Sequence, residues 1–180
     1  IGEGYSHSIK FYQISYLNCS FLSLIERKSN PTEESRFENI SLKIISLVYC
    51  EFLAHKHLIF LYGINNIDVF QLSIVKSLAY MPLFYIENCF SVLIDQVFAL
   101  DDRLAGLLIL NNNDGVIIRN LTMESNTDWK EYEAVIFVTL SNRINLSNLN
   151  IKTNSWYFSF FKCSTFSDAA QPKAVIDFEK

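Results

Sequence analysis

The chain has 180 residues, half of them apolar, with only five glycines, three prolines and a net charge of −4. That composition excludes a disordered or collagen-like chain, and the acidic balance argues against nucleic acid as the main partner, because phosphate binding needs a basic face. The longest apolar stretch, residues 47–62, is interrupted by Glu51, His55, Lys56 and His57, so no membrane span is expected.

A short pattern recurs along the chain: two apolar pairs, each at spacing two, separated by two residues, with Asn or Gln usually before the third apolar position. The first copy is Ile9, Phe11, Ile14 and Tyr16, with Gln13 in the amide slot. The second is read as Leu42, Ile44, Leu47 and Tyr49, with Ser46 in that slot. Then come Ile67, Val69, Leu72 and Ile74 with Gln71, and Val92, Ile94, Val97 and Ala99 with Gln96. Val116, Ile118, Leu121 and Met123 follow with Asn120, and Ile144, Leu146, Leu149 and Ile151 with Asn148. Successive copies are 24 to 33 residues apart. A period of that size is the signature of a solenoid.

Each apolar pair at spacing two is a short strand with alternate side chains facing a core. A two-residue corner between strands favours a residue that tolerates a left-handed backbone, and Asn does so well. The amides should therefore stack at one corner. A third strand completes each turn: Leu22/Leu24, Ile59/Leu61, Leu83/Tyr85, Leu107/Ile109, Val135/Phe137 and Phe158/Phe160 are read as its inward pairs. The competing arrangement is a β-sandwich with irregularly spaced strands.

Three strands per turn with an Asn corner resembles the right-handed parallel β-helix of pectate lyases and their relatives, over about residues 9–162. The resemblance is one of fold pattern and carries no catalytic motif. It implies an all-β, right-handed parallel β-helix of about six rungs starting near residues 9, 42, 67, 92, 116 and 144. One insertion, residues 26–39, contains Asn30-Pro31-Thr32-Glu33-Glu34-Ser35, which is loop chemistry. The whole chain, 1–180, is expected to be a single segment of a longer chain or assembly. The Ile/Phe/Tyr/Asn-rich composition resembles large repeat proteins of AT-rich eukaryotes such as ciliates.

In this register the alternate residues of the third strand face outward: Phe60, Tyr62, Phe84, Ile86, Leu108, Leu110, Ile136 and Val138. A continuous apolar outer strip points to an interface with other copies or other segments of a repeat protein. The bland alternative is a one-residue register error, which would turn the whole set inward.

Candidate sites are few. Asp101-Asp102-Arg103 and Asn126-Thr127-Asp128 are similar to fragments of polygalacturonase signatures, but their order is reversed. Gly-His-Gly is absent, and Arg143-Ile144-Asn145 stands where Arg-Ile-Lys would be. No intact catalytic motif remains. Both acidic clusters fall at the same corner of adjacent turns, so Asp101, Asp102, Asp128 and Glu131, with Trp129, form a candidate calcium or sugar contact; solvated turns are the plain alternative. No zinc-ligand spacing, nucleophile motif or phosphate loop is found, and no cofactor is expected.

Cys19 and Cys50 map to one corner of neighbouring turns, where a disulfide is geometrically allowed; Cys89 and Cys163 share another corner but are too many turns apart. Four Asn-x-Ser/Thr acceptors begin at Asn18, Asn39, Asn120 and Asn145. All lie at corners or outward strand positions, where an N-linked glycan has room. The functional expectation is a non-catalytic scaffold segment of an extracellular or surface glycoprotein, assembling through the apolar strip or by end-to-end stacking. The alternative is a carbohydrate-binding or polysaccharide-degrading β-helix module.

Overall fold

The computed structural model describes residues 8–21, 25–28, 39–52, 57–125, 134–153, 159–164 and 176–179. Among these there is no helix. The strands, in chain order, are β1 (Ser8–Leu17), β2 (Ser20–Phe21), β3 (Ile25–Lys28), β4 (Asn39–Val48), β5 (Glu51–Phe52) and β6 (Ile59–Tyr62). They continue as β7 (Asn65–Val75), β8 (Leu78–Ala79), β9 (Phe84–Glu87), β10 (Phe90–Leu104) and β11 (Leu108–Asn111). The last are β12 (Asp114–Ser125), β13 (Ala134–Thr139), β14 (Asn142–Thr153), β15 (Ser159–Ser164) and β16 (Ile176–Glu179).

Every pairing is parallel. One sheet stacks β1, β4, β7, β10, β12, β14 and β16 in that order, and a second stacks β15, β13, β11, β9, β6 and β3. This is an all-β parallel solenoid. It makes about four turns, fewer than the six expected.

The long strands bend where the amide slot lies. Gln13, Gln71, Gln96, Asn120 and Asn148 all have a left-handed backbone, with φ between 51° and 58°. The second copy differs from expectation. The residue paired in this column is Ile44 (φ 54°), and the core set is Ile40, Leu42, Ile45 and Leu47. The second copy therefore starts at Ile40, two residues before the position its apolar spacing suggests. Leu42–Ile44–Leu47–Tyr49 has the same apolar spacing, and nothing in a single sequence marks Ile44 as a corner.

Left-handed residues occur at further corners and keep fixed intervals. Asn66 and Gln71, Ser91 and Gln96, Gly115 and Asn120, and Arg143 and Asn148 are each five residues apart. So are Gln13 and Asn18, Ile44 and Tyr49, and Gln71 and Lys76. Gly63 and Asn66, Asn88 and Ser91, Asn112 and Gly115, and Leu140 and Arg143 are each three apart. The rest of the circuit varies: Tyr49 to Gly63 takes fourteen residues, Lys76 to Asn88 twelve.

Inside the frame sit columns of Ile, Leu and Val. Ile67, Val69, Leu72, Ile74, Val92, Ile94, Val97, Ala99, Val116, Ile118 and Leu121 are all at most 1% exposed. Each buried branched side chain contributes about 1.5–3 kcal/mol relative to leaving it in water.

The third strand corrects the expected register. Ile59 pairs with Phe84, Phe84 with Leu108 and Leu108 with Ile136. Phe84, Ile86, Leu108, Leu110, Ile136 and Val138 therefore face the core, each at most 1% exposed. Only Phe60 and Tyr62 of the expected outer strip point outward. Leu83 and Leu107 are also buried, just before their strands begin. This run of consecutive apolar residues hides the alternation on which a sequence-based register depends. Leu22, Leu24 and Phe158, read as inward, lie outside the described residues.

The outer face of this sheet carries two different columns. One is Phe60, Tyr85, Ile109 and Phe137, all half-buried; the Phe60 and Tyr85 rings stack 5.1 Å apart at 10°. The other is polar: Glu87 accepts from Tyr85 Oη at 3.1 Å and from Asn111 Nδ2 at 2.8 Å, and Thr139 Oγ1 donates to Asn111 Oδ1 at 3.0 Å. Buried His57 closes the apolar column, with Nδ1 2.7 Å from Pro82 O. A carbonyl only accepts, so Nδ1 carries the proton.

Candidate functional site

The residue after a left-handed corner turns its backbone N–H toward the interior, where a strand partner is missing and an acceptor is required. Small polar side chains supply it from the next turn. Cys50 N donates to Ser77 Oγ at 3.1 Å. At the opposite corner Ile64 N reaches Cys89 Sγ at 3.5 Å, Cys89 N donates to Asn113 Oδ1 at 2.9 Å, and Asn113 N to Ser141 Oγ at 3.0 Å. These ladders were not read from the sequence. The repeated Asn-Cys dipeptide, Asn18-Cys19 and Asn88-Cys89, was the available signal.

The cysteines belong to these ladders. Cys19 and Cys50 do occupy one corner of successive turns, since Glu51 N donates to Cys19 O at 2.9 Å. Both are free thiols, and the bridge that their placement allows is not formed in this structure. Cys19 Sγ donates to Leu17 O at 3.3 Å, and Cys50 Sγ lies 3.5 Å from Val48 O and 3.8 Å from Tyr16 O. Each sulfur faces main-chain carbonyls rather than its neighbour. Cys89 is fully buried, and burial pushes its thiol up to about 11.

The outer face of the long sheet carries the charged groups. Asp95 is 4% exposed although its strand position faces outward. Arg119 from the next turn covers it, with Nε and Nη2 each 2.9 Å from Oδ2. Asn120 Nδ2 donates to the other oxygen at 2.8 Å, and Asn148 Nδ2 donates to Asn120 Oδ1 at 2.6 Å. The amide column thus links turn to turn here, as expected, and runs into a carboxylate.

Beside this network lies an open groove of about 690 Å³, lined by Phe90, Ser91, Asp114, Gly115, Ile117, Arg143, Ile144 and Asn145. Phe90 and Ile117 are 45% and 43% exposed. Arg143 Nε donates to Asp114 Oδ1 at 2.7 Å and Nη2 to the second oxygen. These hydrogen bonds hold the Asp114 carboxyl below its ordinary range. Gly115 (φ 72°) occupies a left-handed corner between Ser91 and Arg143. The groove combines an apolar floor with a planar ion pair, and it depends on cross-turn pairing that no local motif reports.

Of the expected acidic corner, Asp101 and Asp102 lie in β10, whose pairing with β12 slips between Leu100 and Asp102. Asp128, Trp129 and Glu131 fall outside the described residues. Among the described residues, no group of three His, Cys, Asp or Glu side chains is gathered for a metal ion. The four sequon asparagines differ in setting. Asn18 and Asn39 are exposed, Asn120 is engaged at both ends of its amide, and Asn145 is half-exposed in the groove.

Phe11 and Tyr16 occupy the same core columns as Leu42 and Leu47, yet they are 38% and 40% exposed, against 0% for both leucines. Among the described residues β1 is the terminal strand of its sheet. At the other end Leu149 and Ile151 are half-exposed, whereas their column neighbours Leu121 and Met123 are buried.

No protein-family model, curated protein or solved structure matches this chain. Among the described residues, no helix is long and apolar enough to cross a membrane.

Proposed function

We propose that this chain is a non-catalytic scaffold module of an extracellular or surface glycoprotein, and that it associates end to end with a second copy of itself. The carrying observation is the exposure of core-column residues Phe11 and Tyr16 on the edge strand β1. A parallel edge that no other described strand covers, with an apolar inner face, templates another strand. Toward the other end of the sheet, in the part of β14 that β16 does not pair with, Leu149 continues the column of Ile14, and Ile151 that of Tyr16. Stacking one end on the other keeps these two columns apolar and sets Gln13 in line with Asn148. Such a contact is heterologous, so it propagates into a filament rather than closing as a dimer. The apolar outer strip carries none of this reading, because six of its eight residues are in the core.

Sedimentation velocity over a range of concentrations tests it. The chain should form a concentration-dependent ladder of oligomers. Ile14→Lys, which places a charge in the end column, should leave monomers with unchanged circular dichroism. A monodisperse monomer at every concentration would sink the proposal.

A further inference from the structure

We infer that Asn145 is an N-glycosylated residue whose first sugar ring is seated in the groove floored by Ile117 and Phe90. The inference rests on the extracellular reading above and deepens it by choosing among the four acceptors. Asn145 opens the sequon Asn145-Leu146-Ser147 on β14, at an outward strand position directly above Ile117 of β12. Its side-chain amide makes no hydrogen bond within the described residues, so Nδ2 is free for substitution. Asn120 presents the opposite case. Its Nδ2 donates to Asp95 and its Oδ1 accepts from Asn148, and a sugar on that nitrogen would break the chain of bonds between turns.

The groove suits a pyranose carrying an N-acetyl group. Such a ring is apolar on its C–H face and polar at its rim. Phe90 and Ile117 expose apolar surface that an unmodified monomer leaves in water. Asp114 and Arg143 form the polar wall. A volume of about 690 Å³ lies within the range of small-ligand sites. A tether at Asn145 holds the ring beside Ile117, so even a weak contact is occupied.

The donor is a polyprenyl-pyrophosphate-linked oligosaccharide. The bond between its anomeric carbon and the pyrophosphate oxygen breaks, and the pyrophosphate leaves with the electron pair. The anomeric carbon bonds to Asn145 Nδ2, which releases one proton to solvent.

Glycopeptide mapping of the protein isolated from its native cells is the first test, and Asn145 should be occupied while Asn120 is bare. Amide hydrogen exchange of β10 and β12, before and after enzymatic removal of the glycan, is the second. Protection next to the groove should fall about three- to tenfold on removal, the size of one aromatic stacking contact. Ser147→Ala, which keeps Asn145 but destroys the sequon, should match the deglycosylated protein; Phe90→Ser should keep the glycan and lose the added protection. Glycans on Asn18 or Asn39 with Asn145 bare overturn the inference and leave the extracellular reading standing. Four bare sequons overturn both. A glycan on Asn145 that alters no exchange rate overturns the seat. So does a groove protected only by added free N-acetylglucosamine oligomers, which makes it a site for a separate saccharide.

Discussion

Arg119 lies over one oxygen of Asp95 from the neighbouring turn, with Nε and Nη2 both 2.9 Å from Oδ2. The Asp95 side chain is 6% exposed and that of Arg119 49%. The pair is therefore a carboxylate shielded by its own partner, and removing the partner takes away two charge-assisted hydrogen bonds, only part of which water replaces. Arg119→Ala should cost about 1–3 kcal/mol in urea unfolding. The double variant Asp95→Ala/Arg119→Ala should recover part of that loss, and strict additivity would refute the coupling.

Ile44 holds a left-handed backbone at φ 54° in a column otherwise occupied by Gln and Asn. A β-branched residue is strained there, by about 1–2 kcal/mol relative to one that accepts the conformation. Its side chain is 49% exposed, so little burial is at stake. Ile44→Asn should raise the unfolding midpoint by about 1 kcal/mol of stability. An unchanged or lower midpoint would mean that Ile44 makes contacts outweighing its backbone.

Cys89 ties its protonation to folding. Burial raises its thiol from 9.0 to about 11. The folded chain keeps the proton where the unfolded chain releases it, so the associated stability is present below pH 9 and is lost as pH rises toward 11. Tyr85, raised chiefly by burial, adds a loss of the same sign. Cys89→Ser should flatten the alkaline fall in stability without abolishing it. At neutral pH a thiol reagent should modify half-exposed Cys19 much faster than Cys89.

The Asp114–Arg143 pair should behave differently. Both side chains are solvent-accessible, at 32% and 74% exposure. The lowered Asp114 carboxyl implies stability present above its unfolded value and lost as pH falls through the folded one. Solvent screening keeps that contribution small. Arg143→Ala should return the Asp114 titration, followed by NMR, to the ordinary carboxylate range. The unfolding midpoint should barely move.

The solenoid was legible because its corners recur with chemistry attached. Gln13, Gln71, Gln96, Asn120 and Asn148 mark a bend that needs a left-handed residue, and all five adopt one. Ile44 shows the limit, since it occupies such a bend without any side-chain preference for it. The third strand failed for another reason. Leu83, Phe84, Tyr85 and Ile86 are all apolar, and an alternation cannot be read from a run with no polar member. The Asp95–Arg119 pair and the groove were beyond reach altogether. Their members lie 24 or more residues apart and meet only once the turns are in register.

The spacing of the left-handed residues confines change. Between Asn88 and Gln96, or Asn112 and Asn120, the intervals of three and five residues repeat without exception. One residue inserted there would swap the inner and outer faces of everything up to the next corner. The arc from Lys76 to Asn88 or from Tyr49 to Gly63 has no such metric and already differs by two residues. A lineage of such proteins can thus rewrite the long arc of each turn freely while the sides of three and five residues leading to the amide corner stay under strict metre. Novelty of recognition, in this architecture, has a single permitted address per turn.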